Sequence, residues 1–142
     1  MEISVVRNRL NRAIEASRER SQGRRQRTAA AESAFELFLQ NVATPVTKLV
    51  ANSLKVENYA FTVFTPGGGL RLASDRGRDD YVEFVLDLDS DPPQVVGRTS
   101  RTRGSRTLTD ENPVKPGSAV DQISEEDVLG FLLGALEPWF ER

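Results

Sequence analysis

Asp87 and Asp89 stand two residues apart in the run DLDSD, and carboxylates at that spacing project from one face of an extended strand. A pair so placed suits Mg²⁺-dependent phosphotransfer, in which carboxylate oxygens hold a hard cation against phosphate. The surroundings do not complete that chemistry. Such a centre normally has a glycine-serine turn that opens a helix and cradles phosphate shortly before the acidic strand. Here Gly67, Gly68 and Gly69 lie between two apparent strands and fit neither GxxxxGK[ST] nor GxGxxG. The plainer reading is a solvent-facing strand in which Glu83, Asp87 and Asp89 oppose arginines of the next strand, each pair contributing about 0.2–1 kcal/mol. The sequence assigns no catalytic residue, no metal site and no cofactor.

Arginine carries the other chemistry. Residues 18–28 (RERSQGRRQRT) hold five arginines, one glutamate and no apolar side chain. Guanidinium groups are almost never buried unpaired, so this segment faces water, phosphate or an acidic partner. Wound as a helix it would set Arg18, Arg24 and Arg25 near one side and Arg20 and Arg27 on another, a pattern for general electrostatic contact rather than sequence readout. A second basic strip, Arg98, Arg101, Arg103 and Arg106, is interleaved with Thr99, Ser100, Thr102, Ser105 and Thr107. These are side chains that contact phosphate oxygens. The strip has no aromatic residue on which a base could stack, and it equally suits pairing with Asp87 and Asp89 or charge protection of a sheet edge.

The charge is divided along the chain. Residues 1–55 carry ten Lys or Arg against five Asp or Glu, a net of +5, and residues 56–142 carry nine against sixteen, a net of −7. Such asymmetry points to a nucleic-acid contact, or to an oligomer in which the basic part of one copy meets the acidic part of another. Arg outnumbers Lys sixteen to three throughout, so compositional bias is a competing source of the arginines. With no cysteine and no histidine, disulfides, thiolate metal sites, cysteine nucleophiles and the Ser-His-Asp triad are excluded. The N-terminal residues lack the apolar core of a signal peptide. The longest apolar-rich run, residues 128–136, is too short to cross a bilayer. A soluble, cytoplasmic protein without a membrane partner is expected.

The elements that must position these groups follow from hydrophobic period. Val5, Val6, Leu10, Ala13, Ile14 and Ser17 form a thin helical stripe. Gly23 offers a stop that would make the arginine stretch a loop; otherwise one helix runs through it as a solvated rod. A stronger helix carries Phe35, Phe38, Leu39, Val42, Val46, Leu49, Val50 and Leu54, with Thr44-Pro45 as a restart or a kink within it. From residue 58 the period turns to two. Residues 59–64 and the strand beginning at Leu70 read as a hairpin about the 65–69 turn, residues 81–89 as the clearest strand, 94–101 as its return, and 104–109 as a fifth strand. Ser124 and Asp127 form a capping-box-like pair opening a last helix, apolar around most of its circumference, in which Gly130 and Gly134 would admit a close neighbouring helix.

The expected architecture is α+β: N-terminal helices, an antiparallel meander of four or five strands, and a C-terminal apolar helix on one sheet face. Residues 1–27 form an Arg-rich helix or arm and residues 28–142 a single domain. The expected function is a non-catalytic protein-protein interaction module, a homo-oligomer or a small subunit of a larger assembly. Leu10, Ile14, Phe131, Trp139 and Phe140 are its candidate interface. The alternative is a nucleic-acid-associated protein making sequence-independent phosphate contacts through the arginines of residues 18–27 and 98–106.

Overall fold

The computed structural model of the chain describes residues 1–141. The arginine stretch is helical. Helix α1 runs Ile3–Phe38, 36 residues, about 54 Å at 1.5 Å per residue. Gly23 lies inside it rather than ending it. One interior glycine costs about 1 kcal/mol against alanine, and the Arg, Gln, Glu and Ala residues around it favour the helix. Every residue from Ile3 to Arg20 is exposed, and α1 first buries large side chains at Phe35 and Phe38.

The helix does not stop at Thr44-Pro45. A single wide π-helical turn, Leu39–Ala43, leads straight into α2, Thr44–Val56, and the backbone stays helical throughout, with Ala43 at φ −69°, ψ −46° and Thr44 at φ −64°, ψ −48°. Pro45 has no N–H for the carbonyl four residues back and its ring crowds that carbonyl; the widened turn before it takes up the mismatch. Thr44 is therefore a helical residue and not a cap. Helix α2 ends where Asn58 takes φ 68° and the Tyr59 N–H donates to the Leu54 carbonyl at 2.8 Å, a left-handed termination that asparagine tolerates.

Five strands follow in sequence order, each antiparallel to the next: β1 Phe61–Phe64, β2 Leu70–Ser74, β3 Tyr81–Asp87, β4 Gln94–Arg103 and β5 Arg106–Pro113. The fifth strand extends well past residue 109. Alternation puts Phe61, Leu70, Leu72, Val82, Phe84 and Val95 on one face, where they join Phe35, Phe38, Val50, Leu54 and side chains of the last helix in the core. The opposite face is polar. Arg71, Glu83, Arg98 and Glu111 stand directly opposite one another across β2 to β5, a row of alternating charge. Arg71 pairs with Glu83 at 3.2 Å and Arg98 with Glu111 at 3.1 Å, and the Arg71 guanidinium lies 4.0 Å from the Tyr81 ring centroid. The cross-strand acids are thus Glu83 and Glu111; Asp87 faces Gln94 and Asp89 lies beyond the strand.

Helix α3, Glu125–Phe140, opens with the capping box read from the sequence. The Asp127 N–H donates to Ser124 Oγ at 3.2 Å and the Ser124 N–H to Asp127 Oδ2 at 2.9 Å. Those bonds to Ser124, with Lys115 3.4 Å away, hold the Asp127 carboxyl below the usual carboxylate range. A depressed carboxyl stabilises the fold above its unfolded pKa, and that contribution is lost as pH falls through the folded value. Ser124→Ala is expected to lower stability by about 0.5–2 kcal/mol and to let Asp127 titrate at higher pH. Denaturant unfolding at neutral pH and an NMR titration of Asp127 test this; unchanged values for both would remove the cap from the account.

Candidate protein interface

Two exposed apolar surfaces bear on the candidate interface. The first is the arm, the part of α1 that stands clear of the core. Ile3, Val6, Leu10 and Ile14 are 78, 49, 57 and 40% exposed. At 100° per residue they line up with Ser17, Ser21, Thr28 and Ala31 above Phe35, so the face that docks on the core continues outward along the arm. On one flank of this stripe run Arg7, Arg18 and Arg25, and on the other Arg9, Arg20 and Arg27. Arg24 belongs to the stripe itself rather than beside Arg18 and Arg25, and its guanidinium donates to Ser21 Oγ at 3.1 Å.

The second surface is a groove of about 670 Å³ between α2 and α3. Its walls are helical because both sequences keep an apolar face toward the sheet; its floor is exposed because both carry more leucine than that face needs. Val128, Leu132, Leu136 and Trp139 of α3 are buried, whereas Leu129, Leu133 and Phe140 stay 36, 52 and 39% exposed and Leu49 of α2 67%. Glu57, Glu125 and Glu126 are the charged residues that line the groove, and α3 has acidic side chains at all three positions of its first turn.

Of the five candidate interface residues, Leu10, Ile14 and Phe140 lie on these surfaces. Trp139 is 5% exposed and meets the Phe61 ring edge-on, with centroids 5.9 Å apart. Phe131 packs against Phe84 at 5.8 Å and over Gly97, where any Cβ would overlap its ring. Both serve the core. Gly130 and Gly134 meet no helix; with Phe131 they line a second groove, whose other wall is Thr99, Arg101, Asp110 and Asn112 of β4 and β5. Leu49, Leu129 and Leu133 are the groove residues that a choice by aromatic content passes over. For Leu129 and Leu133 the signal was the apolar circumference of α3, which exceeds what one sheet face can cover.

The basic strip of β4 does not form one patch. Arg98 is spent on Glu111 on the open face, Arg101 lines the groove on the helical side, and Arg103 and Arg106 oppose each other at the β4–β5 turn. The acidic run is a local turn. Asp87 Oδ1 accepts the Asp89 N–H at 2.9 Å and Oδ2 accepts the Ser90 hydroxyl at 2.7 Å, and these bonds, Ser90 first, hold the Asp87 carboxyl low. Among the described residues no three His, Cys, Asp or Glu side chains converge as metal ligands, and no helix is long and apolar enough to cross a membrane. The chain matches no family model, no curated protein and no solved structure.

Proposed function

We propose that this protein is a non-catalytic assembly module that works by protein-protein contact through its projecting helix. The observation that carries this reading is α1 itself: its first eighteen residues are exposed on every side, yet they keep an apolar stripe in phase with the buried face of the same helix. An isolated helix of that length is marginal in water, and a stripe of isoleucine, valine and leucine gains nothing from solvent. A partner surface supplies the missing burial.

Light scattering coupled to size exclusion tests the reading, on the full chain and on a variant lacking residues 1–27, at low and high salt. A defined oligomer that persists in high salt and is lost with the arm is the expected result. A monomer that carries nucleic acid until salt strips it away would overturn the reading and move the arginines to the phosphate backbone, because phosphate contacts release counterions and weaken steeply with ionic strength.

A further inference from the structure

Resting on that assembly reading, we infer that the arm of one copy seats in the α2–α3 groove of a second copy. The two surfaces complement each other in shape, length and charge. The arm presents a ridge, Ile3, Val6, Leu10 and Ile14, and the groove presents a concave apolar floor of Leu49, Leu129, Leu133 and Phe140. Residues 3–14 span about 17 Å and α3 about 24 Å at 1.5 Å per residue, so the ridge fits within the groove's longer wall. Arg7 and Arg9 flank the ridge, one on each side, while Glu57, Glu125 and Glu126 border the groove, so docking brings opposite charges together at the rim.

The same geometry disfavours the other ways of covering these surfaces. A coiled coil of two arms would set arginine rows against arginine rows and leave the groove open. The arm cannot fold back onto its own groove either, because helical backbone runs without interruption from Ile3 to Val56 and carries Leu10 about 54 Å from Val46. The contact is therefore between copies. One arm in one groove buries few large side chains for a stable interface, and two copies exchanging arms make the contact twice. A closed two-fold dimer is the arrangement that follows.

Leu10→Asp with Ile14→Asp defaces the arm, and Leu133→Asp defaces the groove. All three positions are exposed within one copy, so the variants are expected to fold, which circular dichroism checks. Each variant alone should dimerise at least about 100-fold more weakly than the parent chain, since docking would bury an unpaired carboxylate. Mixed in equal amounts they keep one intact arm and one intact groove, so they should pair more tightly with each other than either does with itself, though more weakly than the parent chain, which makes the contact twice. An arm-dependent oligomer that Leu133→Asp leaves unchanged would overturn the groove assignment in favour of paired arms while sparing the assembly reading. A parent chain that stays monomeric overturns the exchange of arms between copies, and binding of that monomer to anionic phospholipid vesicles through the arm would overturn the assembly reading as well and assign the stripe to a lipid surface.

Discussion

Leu132→Ala is expected to destabilise the protein by about 2–5 kcal/mol, while Leu133→Ala, one residue on, leaves monomer stability within about 0.5 kcal/mol. Leu132 is 0% exposed and Leu133 52%. The first substitution opens a cavity in the hydrophobic core; the second trims a side chain that water already reaches. At about 2–4 °C per kcal/mol for a chain of this size, Leu132→Ala should depress Tm by several degrees at any protein concentration. Leu133→Ala should change Tm only where the oligomer is populated, by weakening the assembled form. Thermal unfolding across a dilution series separates the two. Equal, concentration-independent losses would show that the groove floor belongs to the core of a single copy.

Gly97→Ala is the second large effect. The added Cβ falls on the Phe131 ring, and overpacking of this kind costs about 1–3 kcal/mol. The ring is the far end of its side chain and partly exposed, so it has room to swing outward, away from Phe84. The signature is non-additivity. Phe131→Ala alone loses the packing on Phe84, but in the double variant the alanine at position 97 no longer meets a ring. The combined cost should fall short of the sum of the single costs by about 0.5–3 kcal/mol. Additive costs in denaturant unfolding would mean that helix α3 does not sit on β4 as described.

The parts of the fold that were legible in the sequence are those where local chemistry and tertiary packing agree. Alternation in residues 81–87 gave the central strand because apolar side chains on one face join the core while the other face is mostly polar, and Ser124 with Asp127 gave the start of α3 because a capping box is a local device. Gly23 and Thr44-Pro45 were ambiguous for the opposite reason. Each is a local breaker whose penalty of one to a few kcal/mol is outweighed by neighbours, helix formers around Gly23 and burial of Ala43 at the end of the wide turn and of Val46 and Thr47 beyond it. The cross-strand partners of the β3 acids depended on register, which hydrophobic pattern sets only to within two residues; hence Glu111, not Asp87 or Asp89, proved to be the partner of Arg98. The candidate interface was half legible. Leu10 and Ile14 stand alone among charges and advertise themselves, but Leu133 and Trp139 are equally apolar in the sequence, and only the packing of α3 decides which of them is left over.

The unbroken backbone from Ile3 to Val56 also makes the arm a clock hand. Each residue advances the helix by about 100°, so the direction in which Leu10 points, measured from the sheet, is set by the number of residues between it and Phe35. Removing one uncharged residue from the exposed span would leave charge and body untouched and still turn the apolar ridge by more than a quarter circle. Removing seven would shorten the reach by about 10 Å and bring the ridge back to within about 20° of its bearing. The length of the arginine-rich span is thus a phase as well as a distance.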